Sequence, residues 1–186
     1  MIQPDAIDEV LPLDDVKAHL RVDNSADDEL IQQLIYVAVE TIEGETGHLW
    51  GPREVTEHFA RWCDIKLRSW PIVALIGIAY LDQAGNLATL GTANLRIVAG
   101  RRPVRLAQIV AATWPDYQRA DDAIAVTVSA GHAPDHVPHR LRAAALLMIG
   151  DLYAARETFV NGSISSKVAM SRTVDMLLDP FRIVGL

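Results

Sequence analysis

The chain has 186 residues and a single cysteine, Cys63. A lone cysteine cannot close an internal disulfide, so no disulfide framework holds this fold. The expectation is a protein made in a reducing cytoplasm, or in a particle assembled there. Long apolar runs are also missing. A membrane-spanning helix needs roughly 18 apolar residues; the run over 143–150 is far shorter and lies between Arg142 and Asp151. The first residues lack a basic stretch followed by an apolar one, so a secretory leader is not expected. Gly85, Gly91 and Gly100 do not have the spacing of a phosphate-cradling loop. There is no basic excess either: the net charge is −7, the opposite of the balance expected for a nucleic-acid clamp. Internal repeats and low-complexity stretches are absent.

What remains is ordinary globular composition, 50% hydrophobic and 22% charged, in a chain long enough to bury a real core. Its charge is unevenly spread. Residues 1–57 hold 14 acidic and 3 basic side chains, a net of −11, whereas 58–186 hold 10 acidic and 14 basic, a net of +4. Such asymmetry speaks to partners and fields rather than to fold. It fits a solvated acidic helical face, an acidic wall beside moving DNA, or an acidic surface that pairs with a basic neighbouring subunit.

Residues 1–10 are polar and acidic and predict a loose terminus. Asp14 is placed to cap a short helix running to about Leu20, with Val16 and Leu20 on one face. After a turn over 22–26, Ser25 and Asp28 have the spacing of a capping box. A longer helix follows, in which Leu30, Ile31, Leu34, Ile35, Ala38 and Ile42 recur at helical spacing and Gly47 marks the stop. Beyond Pro52 the pattern changes. Segments 55–62, 65–70, 73–81, 94–98, 104–109 and 123–129 read as short strands, with a hairpin turn over 82–86. Helical periodicity returns after Pro138 with Leu141, Ala144, Ala145, Met148, Leu152 and Ala155, and runs to about Glu157. Its small residues suit close packing against the earlier long helix. Segment 158–173, with Asn161-Gly162-Ser163, reads as a loop or mobile arm. One further helical turn over 174–178 precedes an apolar tail.

These patterns predict an α+β fold. A helical core from 11–50 and 137–157 carries an inserted β region of short antiparallel strands over 53–131, and 158–186 forms an extended C-terminal arm, all in a single domain.

Few residues invite chemistry. His132, His136 and His139 with Asp135 are the best metal candidates, but Pro134 and Pro138 interrupt any helix that would align them. A turn leading into a helix explains the segment without a metal. Cys63 lacks the base and electropositive pocket of a nucleophile, so a buried or interfacial thiol is expected. Ser129 lacks the glycine two residues earlier that a nucleophile elbow requires. Arg96, Arg101, Arg102 and Arg105 form a basic cluster suited to another subunit, to solvent or, less readily in an acidic protein, to phosphate. Trp50, Trp62, Trp70 and Trp114 read as core or interface residues rather than stacking platforms.

Four stretches, in order, resemble the head–tail connector (adaptor, or head-completion) proteins of tailed phages, prophages and gene transfer agents. They are 13–22 (LDDVKAHLRV), 27–31 continuing to the Gly47 stop, 125–131 before Val137-Pro138, and 143–157 with LYAARE. Together they span about 13–157. The resemblance implies a structural protein of the virion neck, assembled in the host cytoplasm, with no catalysis, no cofactor and no membrane contact. It implies a ring of identical subunits, twelve by family expectation, lying beneath the portal protein. Such a ring extends the channel through which DNA passes without sequence-specific binding, and it offers a platform to the next, stopper-like, tail component. Another tail-ring protein, a stopper or terminator, is the alternative within the same class. A small metal-dependent enzyme and a nucleic-acid-binding module are the alternatives outside it. The apolar tail after a flexible arm marks Val174, Met176, Leu177, Leu178, Phe181, Arg182, Ile183, Val184 and Leu186 as the candidate portal-docking segment. The arginine cluster is the candidate inter-subunit contact.

Overall fold

The structure, a computed structural model, describes residues 4–98, 100, 102–109, 113–160 and 172–183. It is α+β, as the patterns predict, and divides into two compact units. One comprises residues 1–51 and 132–182, and the other is built mainly from 52–131. The divisions fall close to the sequence limits of the β region.

The first unit is helical: α1 (Pro4–Val10), α2 (Leu13–Leu20), α3 (Asp28–Thr46), α4 (His139–Val160) and α5 (Arg172–Leu178). The predicted stripe of α3 faces inward, with Ile31, Ile35, Ala38 and Ile42 buried against Leu141, Ala144, Ala145 and Met148 of α4 in one cluster. Gly47 closes α3 in the left-handed conformation at φ 69°, its N–H bonded to the Glu43 carbonyl, a position that favours glycine.

Several expectations are corrected. The described N-terminal residues, from Pro4, are not loose: Ile7 and Val10 of α1 and Leu11 just after it pack into the core, because these three share a helical face even though acidic residues surround them. Neither Asp14 nor Ser25 caps a helix. Pro12 and Asp27 hold those positions without a side-chain cap bond, and an Asx turn forms instead, with Asn24 Oδ1 accepting from the Ala26 N–H at 3.0 Å. Helix α4 continues to Val160, past the start expected for an arm at 158. The rest of that stretch, 161–171, lies outside the described residues.

The second unit holds two antiparallel sheets, ordered β1-β7-β3-β4 and β2-β6-β5. Their strands are β1 (Arg53–Phe59), β2 (Lys66–Leu67), β3 (Ile72–Leu81), β4 (Leu87–Leu90), β5 (Leu95–Val98), β6 (Val104–Gln108) and β7 (Ile124–Ala130). The predicted strand 65–70 shrinks to two residues, and the chain after it is tied down by Glu57. That carboxylate accepts from the Arg68 and Ser69 N–H groups and from the Ser69 hydroxyl at 2.7 Å. Asp82 pins the β3–β4 turn by accepting from the Ala84 and Asn86 N–H groups. Those bonds, Asn86's first, hold its carboxyl below the ordinary range. Strand β7 is buried on one face through Ile124, Val126, Val128 and Ala130.

Candidate interaction surfaces

The most unusual surface lies on the three-stranded sheet. Antiparallel pairing sets Lys66 of β2 opposite Arg105 of β6, and Arg105 opposite Val98 of β5. Arg96 stands two residues from Val98 on the same outer face. The opposite face carries buried Leu67, Val104 and Leu106, so register fixes which side the cations take. Like charges directly opposite across a sheet are destabilising, so the fold alone gives no reason for Lys66 to face Arg105. Val98 sits among these cations 39% exposed. A shallow groove of about 520 Å³ adjoins it, lined by Val98, Gly100, Arg102, Pro103 and Arg105. Arg102 lies over the Trp70 ring at 5.8 Å; burial, and then neighbouring Arg68, disfavour its charge and push its pKa down. Arg96 and Arg105 are thus brought together on strands, Arg102 sits at the groove, and Arg101 lies outside the described residues. The sequence named the arginines but missed Lys66, which only the strand register reveals.

The candidate docking segment is placed differently from expectation. Val174 and Leu178 are fully buried in the helical core, with Leu177 and Phe181 packed against it. The sequence reading assumed an exposed apolar tail. Instead α5 is a core helix, because Val174 and Leu178, at i and i+4, form one inward stripe. Met176 remains 73% exposed, and Ile183 is half-buried. Val184 and Leu186 lie outside the described residues. Arg182 fastens this segment. Its guanidinium donates to Glu45 at 2.6 Å, Asp175 at 2.8 Å and Asp179 at 2.6 Å. Hydrogen bonds to Asp175 and Glu45 push its pKa above the ordinary arginine value.

The remaining sequence candidates separate. His132 is buried and stacks on His48, with His48 Nδ1 and His132 Nε2 2.8 Å apart, so one ring donates and the other accepts. His136 and His139 are exposed. Among the described residues, no group of three or more His, Cys, Asp or Glu side chains is placed to hold a metal ion. Cys63 is exposed, which corrects the buried alternative of the buried or interfacial thiol expected. Ser129 lies within β7, paired with Glu54 and Ala74 rather than on a sharp turn. Trp50 is buried in the helical core. Trp62 stacks on Trp114 at 4.8 Å, with Tyr80 edge-on at 5.6 Å, inside the β unit.

Residues 11–62 match the model of the phage gp6-like head-tail connector protein family. The resemblance read from the residues is thereby borne out over α2, α3 and the first strand. Among solved structures, the chain is similar to one in the neck of an empty GTA particle computed with C6 symmetry. Identity there is 21%, over 95% of this chain and 91% of that one, with a TM-score of 0.73. A chain in the virion of a native gene transfer agent (GTA) particle is 20% identical over 100% of this chain and 94% of that one, with a TM-score of 0.72. A third, in the neck of a native GTA particle computed with C12 symmetry, is 19% identical over 95% and 91%, with a TM-score of 0.69. At these identities the likeness establishes the fold, and it extends across both units. No curated protein matches the chain.

Proposed function

We propose that this chain is a structural head–tail connector. In this reading it assembles as a ring of identical copies in the neck of a phage-like or gene-transfer-agent particle, beneath the portal protein, and it catalyses no reaction. The observation that carries the proposal is the connector-family match over 11–62, on a chain whose whole fold resembles that of neck chains. The twelvefold ring, the portal as upstream partner and a stopper-like protein downstream belong to the proposal. DNA passes through such a ring without sequence-specific contact.

Imaging the purified protein by negative-stain electron microscopy, with and without its portal protein, tests it. Rings, or added density beneath portals, are expected; a monomer that ignores the portal would sink the reading. Docking through the C-terminal segment needs a gentler test than deleting 174–186, since that deletion removes the buried Val174 and Leu178. Met176→Glu combined with removal of 184–186 leaves those core residues in place. Loss of portal density with unchanged far-UV circular dichroism supports docking there, and unaltered density refutes it.

A further inference from the structure

We propose that the exposed face of the β2-β6-β5 sheet receives the outward stripe of α3 from a second copy of this chain, a contact that rests on the ring reading above. Lys66, Arg105 and Arg96 present three cations around the exposed Val98. An anionic surface covering them would relieve the mutual repulsion across the register. The matching surface is on α3. Glu29, Gln33, Val37 and Glu40 recur at i, i+4, i+8 and i+11 along its solvent side, and Val37 is 48% exposed between the carboxylates. One surface is cationic around a valine and the other anionic around a valine. Their extents are of the same order: 29 to 40 covers about 16 Å of helix, and β2 to β5 spans about 10 Å across the sheet, to which the long Lys66 and Arg96 side chains add reach.

Ring closure gives the physical reason for two unlike patches. A cyclic assembly beyond a dimer uses a heterologous interface, in which each copy offers one surface and accepts the other. The acidic first 57 residues and the basic remainder divide the two roles within one chain. Opposite fields also speed encounter and disfavour wrong pairings.

The test uses the full-length protein in two charge-reversed forms, R96E/R105E and E29K/E40K. Because E29K removes an acidic residue from the first turn of α3, Q33K/E40K serves as a second version that leaves that turn intact. Circular dichroism confirms folding, sedimentation velocity at low and high salt reads self-association, and negative stain with the portal reads assembly. Wild type is expected to self-associate more strongly at low salt. Each variant alone is expected to associate about tenfold or more weakly, given opposed charges at every contact. An equimolar mixture should recover association, because alternating copies restore opposite charge at each interface. Variants that associate like wild type, a mixture that fails to recover, or a wild type that stays monomeric at low salt would each overturn the proposal. Portal density that survives both reversals removes this interface while sparing the connector reading; absent wild-type density removes that reading itself. Salt-dependent duplex-DNA binding lost in R96E/R105E, with self-association unchanged, assigns the face to phosphates and also overturns the proposal.

Discussion

Arg182 and Arg105 show how differently the two units treat charge. In the helical unit, Arg182 is enclosed by Glu45, Asp175 and Asp179, and its fork joins the end of the chain to the end of α3. In the β unit, Arg105 faces Lys66 across the sheet. One arginine has its counter-charges within its own unit. The other is paired by register with a like charge, on a face whose reverse side buries Leu67, Val104 and Leu106. Around Arg182 the ionic contacts are completed within the unit, an arrangement that serves stability. A sheet that holds like charges together carries a local conflict of the kind expected at functional surfaces.

The largest expected effect concerns the helical unit. Leu178→Ala should cost about 2–5 kcal/mol, the range for emptying a fully buried leucine site, read by urea denaturation. A loss below about 0.5 kcal/mol, typical of surface positions, would mean that α5 is an appendage rather than core. Arg182→Ala should follow at about 1–3 kcal/mol, since charged hydrogen bonds are lost and three carboxylates are left together. A neutral result would erase the contrast with Arg105. Lys66→Glu runs the other way. Replacing a like-charge pair by an opposite one is expected to stabilise the chain by about 0.2–1 kcal/mol, detected as a raised denaturation midpoint at low salt. Destabilisation would show that the Lys66–Arg105 pair is not in conflict. The smallest effect is at the β3–β4 turn. The folded carboxyl of Asp82 is held below its ordinary value of 3.8, so its contribution is present above that value and fades as the pH falls through the lower folded value. Asp82→Asn should therefore lower stability slightly near neutral pH, where the charged carboxylate contributes, and the difference from wild type should fade below about pH 4, the ordinary carboxylate range.

The helical unit was the more legible in the sequence. The α3 stripe, the Gly47 stop, the α4 stripe and the connector resemblance all follow from local periodicity, which a single helix expresses by itself. Residues 4–11 form a packed helical segment that composition hides, because the acidic side chains outweigh the apolar face of Ile7, Val10 and Leu11. The tail was misread because Val174 and Leu178 announce an apolar stripe without saying whether it faces a partner or the chain's own core. In the β unit the strand segments were largely legible, but β4 was missed and the division into two sheets was not foreseen, since pairing is a long-range choice.

The sequence by itself determined the fold class, the helical faces, the change to β structure near Pro52 and the concentration of acid in the first third of the chain. Each is a local property of spacing or composition. Only the tertiary structure decided that Lys66 stands against Arg105, that His48 meets His132, and that α5 belongs to the core. These facts depend on register and docking between distant segments, 84 residues apart for the His48–His132 pair and 137 for Arg182 and Glu45, and no local pattern encodes which distant partner a side chain will meet.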